Sequence, residues 1–487
     1  MIAGLCRSGN FHRRIALTRS NSKHGDNLKL LLDNVAVNSH SNSYACAELT
    51  TMQTNSPVGD KKVLIIVRDF VPYAKSVGWA IRALKMSNFL LDNGFDVFIL
   101  CAKGVKISYY GYANLVDRIK VFYLQDPLQM LRNRTQRALM KISEDCDSAK
   151  NHDVLLMIRT ILVRLVIEIM NLIGAFSFPD PYACMNHLYY KKAEEIIEKE
   201  KIKNVIISSP TFSIQLIGLK LKKRFGERIN LVTDYRDSWN LGLYKKQYRS
   251  LQLISKTQEM KILRNADSFV YVSPPILEKI RSNYFDIASK SVLVMNGFDD
   301  SNVVESNCTN ENPILTMGYF GNIDPEYRAV EPFLRMLSNF DKEVRICFFG
   351  TVVIDQDIRM KHRGRIQVNG LIDHQEALKR MQNMDVLLIL HGLSENADEV
   401  ITGKFSDYLL VQKPILVVGP NNMFVARLVR ENKLGYTMDI CNEKEMLDNM
   451  NRVYADWRSN RFPRYYRKDL KVFSSKLQFE KILPILR

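Results

Sequence analysis

The sequence predicts an α/β chain of two doubly wound domains that bound a cleft. Three observations lead there. Short apolar runs of strand length recur from residue 61 onward, with helical segments between most of them. One polar stretch with little periodicity, Asp299 to Asn312, interrupts the series, which then restarts. At 487 residues the chain is long enough for more than one domain.

The elements follow in order. KVLIIV (62–67) is the first strand, apolar throughout because a parallel sheet is covered by helices on both faces. A loop with Pro72 and Gly78 leads into a helical stretch to Asn93, and Gly94 is placed to end it. FDVFILC (95–101), IKVFYL (119–124), KNVIIS (203–208), INLVTD (229–234), DSFVYV (267–272) and SVLV (291–294) continue the first series. The second runs through ILTMGY (314–319), VRICFF (344–349), RIQV (365–368), DVLLIL (385–390) and PILVVG (414–419). Strands alternating with helices specify parallel, Rossmann-like sheets, whose ligands bind beyond the carboxyl ends of the strands. The expected domains are 61–300 and 312–465.

Residues 1–60 read differently. The stretch is rich in Ser and Asn, and its first 25 residues hold five basic residues and no acidic one. That composition fits a transit peptide, a flexible tail, or an extension upstream of a start at Met52, and it lacks the apolar core of a signal peptide. Eight cysteines are scattered with no CxxC pair, so a structural zinc site is not expected. Cys101 and Cys347 fall inside strand runs and read as small buried hydrophobes of a chain in a reducing compartment.

A net charge of +17 predicts anionic partners. No nucleic-acid-reading module is visible, so nucleic acid is not the expected one. Residues 128–176 form a helical insertion in the first domain. Its apolar part, 154–176, is interrupted by Arg159, Arg164 and Glu168, which argues against a membrane span. Arg132, Arg134, Arg137 and Lys141 lie upstream with no acid among them. An apolar face beside a basic stretch fits an interfacial helix on anionic lipid, and equally a helix packed on its own domain.

The densest chemistry lies in EVITGKFSDYLLVQKPILVVGP (399–420). A helix starting near Gly403 would present its N-terminus and Lys404 together, an arrangement that suits a diphosphate. Asp407 follows three residues on, close to the same face, where a carboxylate could accept both ribose hydroxyls. Glu399 lies eight residues before Asp407, on the preceding loop, where it could face a sugar ring. The alternative is a capped surface helix with two solvated acids.

This stretch resembles the retaining glycosyltransferases that carry a Glu, seven residues, Glu signature on the two-domain GT-B fold. Lys404, Tyr408, Lys413 and Pro414 match the family pattern; Glu399 takes the first acidic position, and Asp407 the second with a shorter side chain. Thr402 and Gly403 stand where the family has Pro before the lysine. MGYFGNIDPEYR (317–328) resembles the first strand-turn of the family's donor domain, IQVNGLIDHQEALKRMQNMDVLLIL (366–390) its next block, and VMNGFD (294–299) its end-of-first-domain motif. VGWAIRALKMSNFLLDNGFDVFIL (77–100) resembles its glycine-loop helix. TDYRDSW (233–239) and FPDPYACMNHLYYKKA (178–193) resemble blocks of the subgroup that builds bacterial surface polysaccharides. The resemblance covers most of 62–480 in the right order.

The resemblance implies sugar transfer from a nucleotide diphosphate donor, with retention and without a metal or other cofactor, to a glycan or lipid-linked acceptor. It also implies that the C-terminal stretch, 466–487, crosses back to the first domain. Glu399, Lys404 and Asp237 are the expected catalytic residues. Gly318, Gly321, Asn322, Arg328, Gly370, Lys404 and Asp407 are expected on the donor, the glycines admitting backbone to phosphate and Gly370 bordering the nucleobase. Gly78, Asp234 and Arg236 are expected on the acceptor side; a salt-bridged turn is the rival reading for residues 234–237. The expected place is the cytoplasm, at most peripheral on the membrane's inner face. Two D-x-D triplets, Asp145-Cys146-Asp147 and Asp355-Gln356-Asp357, do not follow strands as a metal site of the other glycosyltransferase fold would require. His187, His374 and His391 read as isolated. A GT-B sugar-nucleotide epimerase and a non-catalytic nucleotide-sugar scaffold are the rival functions; a dehydrogenase lacks G-x-G-x-x-G after either first strand.

Overall fold

The computed structural model describes residues 61–73, 77–104, 116–125, 179–180, 182–241, 249–299, 312–323, 330–352, 354–392, 397–465 and 467–487, with a few more between 127 and 166. Residues 1–60, the linker 300–311, the Asp145–Asp147 triplet and Arg328 lie outside them.

The first sheet holds seven parallel strands: β1 (Lys62–Ile66), β2 (Asp96–Lys103), β3 (Lys120–Gln125), β4 (Asn204–Ser209), β5 (Asn230–Tyr235), β6 (Ser268–Tyr271) and β7 (Ser291–Leu293), in the order β3-β2-β1-β4-β5-β6-β7. The order reverses between β1 and β4, the switch point at which such sheets open a crevice at the strands' carboxyl ends. The second sheet has six parallel strands: β8 (Leu315–Phe320), β9 (Val344–Phe349), β10 (Ile366–Val368), β11 (Val386–Leu390), β12 (Ile415–Gly419) and β13 (Gly435–Asp439), in the order β10-β9-β8-β11-β12-β13. Its switch point lies between β8 and β11. Central strands such as β4, β8 and β12 are buried along their whole length.

Helices α1 (Val77–Asp92), α2 (Asn186–Glu200), α3 (Gln215–Phe225), α4 (Arg249–Asn265) and α5 (Pro274–Asn283) accompany the first sheet. Helices α6 (Glu331–Ser338), α7 (Gln356–Lys361), α8 (His374–Gln382), α9 (Gly403–Val411), α10 (Phe424–Glu431) and α11 (Glu443–Arg458) accompany the second. Local chemistry sets their ends. Gly94 takes φ +80° after α1, and Phe95 N–H donates back to Leu90 O. Asp355, Asp373 and Asn442 accept first-turn amides of α7, α8 and α11. The Asp355-Gln356-Asp357 triplet is thus a helix cap.

The chain then returns to the first sheet. Helix α12 (Ser475–Glu480) packs on α1, with Phe479 and Phe89 ring centroids 6.0 Å apart. Asn204 and Asn230, buried at the amino ends of β4 and β5, bind the backbone of Arg487 and Ile485. Residues 295–298 anchor this return: Met295 N–H donates to Gln478 Oε1, and Phe298 pairs with Phe473 and Ser475. A Cβ on Gly297 would fall into the backbone of Phe473–Ser475.

Most of the insertion 128–176 is outside the described residues; 159–166 is helical. Within it Ile161, Leu162 and Leu165 are 53%, 56% and 55% exposed, so these apolar side chains do not pack fully on the domain. Among the described residues no helix is long and apolar enough to cross a membrane. Cys101 and Cys347 are buried free thiols.

Candidate functional site

The two sheets present their carboxyl ends to each other. Ser238 lies three residues past β5 and Ser273 two past β6, and both bind Glu399, which lies between β11 and α9.

On the second-sheet side, β8 ends in a turn at Gly321, whose φ of +122° favours glycine. Tyr408, inside α9, staples that turn: its hydroxyl donates to Leu388 O and accepts from Phe320 N–H. Helix α9 therefore starts beside the turn, and Lys404 Nζ sits 3.7 Å from the centroid of the Tyr319 ring. A Cβ on Gly321 would lie 3.3 Å from Lys404 Nζ, so glycine leaves the ammonium its room. The first amides of α9 point out of the helix unpaired within it, as in any helix N-terminus. Thr402, the N-cap, does not cap with its side chain, and its buried Oγ1 has no hydrogen-bond partner among the described residues. An ammonium and helix amides thus converge where an anion could be held.

Asp407 lies one turn along α9, its side chain about one-quarter exposed. Its Oδ1 is 3.1 Å from Nε2 of His374, at the start of α8. His374 is therefore not isolated, contrary to the sequence reading; contact between helices 33 residues apart leaves no local signal. Burial pulls its imidazole down, but the hydrogen bond and charge of Asp407 outweigh this and its pKa is raised from 6.5. Lys85, reaching from α1, opposes that rise, and Asp373 assists it.

Asn322 is exposed after the Gly321 turn and accepts from Thr351 N–H. Gly370, at φ +69°, is exposed just past β10. Gly318 corrects the sequence reading. It sits within β8 between paired strands, and a Cβ there would lie 2.6 Å from Met384 Cγ. Close packing, not phosphate approach, accounts for that glycine.

On the first-sheet side Asp234 is also corrected. It is fully buried and does not face the cleft. Arg82 of α1 grips both its oxygens at 2.9 and 3.1 Å, and Ser208 Oγ donates at 2.6 Å. Arg82 also reaches Asn296 Oδ1, and Ser406 of α9 donates to Asn296 O, so the pair ties the first sheet to the crossing between domains. Arg236 donates to Ser209 O and Pro210 O, and burial lowers its pKa. Gly78 lies in the first turn of α1. Asp237 is half-buried, close enough to Glu399 to raise its carboxyl.

Glu399 is the most constrained of the expected residues. Its Oε1 accepts from Ser238 N–H at 3.1 Å; its Oε2 accepts from Ser238 Oγ at 2.6 Å and Lys279 Nζ at 3.0 Å. Burial raises its pKa from 4.5, against the pull of Lys279 and Ser238. Ser238, Ser273 and Lys279 were missed from sequence. Lys279 reads as an ordinary exposed lysine of a short helix, and only the fold brings it to position 399.

By sequence, no family model and no curated protein matches the chain. By structure it is similar to many solved chains. A sucrose-phosphate synthase from Thermosynechococcus elongatus superposes with a TM-score of 0.57 at 12% identity, covering 87% of this chain and 98% of that one. The lipopolysaccharide outer core galactosyltransferase WaaB, in its apo form, gives 0.54 at 13% identity over 87% and 98%. HepE from Anabaena, solved in complex with UDP-glucose, gives 0.52 at 12% identity over 87% and 99%. With both parallel sheets, the cleft and the returning C-terminal segment in place, the chain has the GT-B fold of these proteins.

Proposed function

We propose that this protein is a glycosyltransferase that moves a sugar from a nucleoside diphosphate to an acceptor hydroxyl, with retention at the anomeric carbon. The observation that carries the reading is the convergence of the Gly321 turn, the Lys404 ammonium, the N-terminus of α9 and Asp407 at the carboxyl ends of the second sheet. Structural neighbours that bind UDP and UDP-glucose support it.

In this reading Lys404 and the α9 amides hold the diphosphate, and Arg328, which lies outside the described residues, is assigned to it from sequence as a second cation. Asp407 takes the ribose hydroxyls. As the C1–O bond breaks, negative charge gathers on the leaving diphosphate, and fixed cations and amides stabilise it in a closed cleft. These groups carry out the neutralisation, so we propose a reaction without a metal or other cofactor. Glu399 and Asp237 stand at the reacting sugar, and the acceptor enters from the side of Gly78 and Arg236.

We further propose a lipid-linked or glycan acceptor, with the chain peripheral on an anionic membrane face. The exposed Ile161, Leu162 and Leu165, together with the basic residues that the sequence carries at 132–141, support this. The test of the central reading is calorimetry with UDP, GDP, ADP and dTDP, followed by turnover of the matching sugar nucleotides with and without EDTA. Micromolar binding of one nucleotide and EDTA-resistant release of it from its sugar derivative are expected. No binding by any of the four overturns the reading.

A further inference from the structure

We propose that Lys279 and Ser238, both from the first domain, form a clamp that positions the Glu399 carboxylate for the donor sugar only while the two domains are together. The proposal rests on the donor-site reading above and adds two positioning residues to it.

The geometry is specific. Glu399 belongs to the second domain, yet among the described residues all donors to its carboxylate come from the first. They are Ser238 N–H, Ser238 Oγ and Lys279 Nζ, separated from it in sequence by 161 and 120 residues. Ser273 Oγ donates to Glu399 O at 2.7 Å, fixing the backbone as well as the side chain. Lys279 also holds Asp398 at 2.7 Å, so one ammonium bridges two adjacent acids. The Glu399 side chain is 1% exposed, and that of Lys279 16%.

Two physical consequences follow. An ionised carboxylate accepts about four hydrogen bonds, of which the described residues fill three, so a sugar hydroxyl that displaces its present surroundings could take the fourth. A buried charge is tolerated only with its partners in place. When the domains part, Glu399 loses every donor of this set together and turns to water; when they close, it is re-formed in one orientation. Domain closure and placement of the sugar-facing carboxylate are therefore one event. Lys279 has a second effect. Without it, Glu399 loses the cation that lowers its pKa and keeps the nearby Asp237 charge that raises it, which favours proton uptake by Glu399.

The experiment compares UDP with UDP-glucose, and GDP with GDP-mannose, by calorimetry on the full chain. The variants are Lys279→Ala, Lys279→Arg, Ser238→Ala and Glu399→Gln. The quantity read is the affinity ratio of sugar nucleotide to bare nucleotide. Bare nucleotide should bind Lys279→Ala, Lys279→Arg and Ser238→Ala like the parent, because Lys404 and the Gly321 turn are untouched. The sugar increment should fall about tenfold in Lys279→Ala and Ser238→Ala, the size of one lost charge-assisted hydrogen bond. Lys279→Arg should restore most of it. In the Glu399→Gln background Lys279→Ala should add little, because the two act as a unit. The pH dependence of the sugar increment should move upward in Lys279→Ala, which a merely structural lysine would not cause.

An unchanged sugar increment in both Lys279→Ala and Ser238→Ala overturns the clamp and leaves the nucleotide site standing. Full additivity of Lys279→Ala with Glu399→Gln overturns it as well. Where ADP or dTDP is the nucleotide that binds, its glucose derivative replaces these pairs; if none of UDP, GDP, ADP and dTDP binds the parent chain, the donor-site reading fails and the clamp with it. Thermal melts of each variant separate lost folding from lost positioning.

Discussion

His374 Nε2 lies 3.1 Å from Asp407 Oδ1, so the acid assigned to the ribose is backed by an imidazole from the neighbouring helix. Because Asp407 raises the His374 pKa, the folded state binds the proton more tightly than the unfolded chain. The pair's contribution to stability is then fully present below the ordinary value of 6.5 and is lost as pH rises through the folded one. Both side chains are about one-quarter exposed, so screening keeps the effect under about 1 kcal/mol. Melting the parent and His374→Gln between pH 5.5 and 8 checks this: the parent's advantage should shrink with rising pH. A constant difference would mean that folding leaves the imidazole's affinity for its proton unchanged, and an advantage that grows with pH would mean that the folded state holds the imidazole neutral.

Lys404→Ala should weaken nucleoside diphosphate binding by about 1.5–3 kcal/mol, the worth of a charge-assisted contact to phosphate. Gly321→Ala should weaken it too, because its φ of +122° disfavours a side chain and the added Cβ meets Lys404 Nζ at 3.3 Å. Calorimetry gives both values. Unchanged affinity in Lys404→Ala would place the diphosphate elsewhere.

The twelve strands expected from apolar runs all formed, from KVLIIV through PILVVG; the central ones are apolar along their length because both faces are covered, while the edge strands β3, β7 and β10 are half-buried or exposed yet keep enough apolar residues to be read. The thirteenth, Gly435–Asp439, was missed: it is the edge strand after β12, and its alternating half-buried residues give no apolar run. In the second domain the local arrangement was legible, as with Lys404 and Asp407 on one helix that starts at Gly403. The arrangement was illegible wherever the fold joins distant segments: His374 to Asp407, Lys279 to Glu399, Arg82 to Asp234. Gly318 shows the converse error. A glycine beside a glycine turn reads as part of the turn, and only the Met384 side chain packed against it reveals why glycine is there.

Asp234 and Arg82 form a pair that water does not reach, at 0% and 2% side-chain exposure. Removing one partner strands the other charge, so Asp234→Ala should cost about 3–5 kcal/mol of folding stability in a denaturant titration. An acceptor contact at Asp234 would instead leave stability near that of the parent and lower turnover alone. The double variant Arg82→Met with Asp234→Leu should recover much of the loss, because no unpaired charge remains.

The last prediction concerns the membrane. Ile161, Leu162 and Leu165 are each more than half exposed on one short helical stretch, with Arg164 beside them. Completing the burial of each aliphatic side chain in a headgroup layer would contribute about 1 kcal/mol. Each of Arg132, Arg134, Arg137 and Lys141 near anionic lipid would add about 1 kcal/mol at low salt. The aliphatic part is insensitive to ionic strength, whereas the basic part is screened as salt rises. Vesicle sedimentation separates the two. The parent chain should pellet with anionic vesicles at low salt, bind them less at high salt, and bind neutral vesicles weakly. Substituting Ser for the four basic residues should remove the preference for anionic lipid. Substituting Ser for Ile161, Leu162 and Leu165 should remove the salt-resistant remainder. If the parent chain stays in the supernatant under every condition, this helix is covered by protein and the acceptor is a soluble glycan.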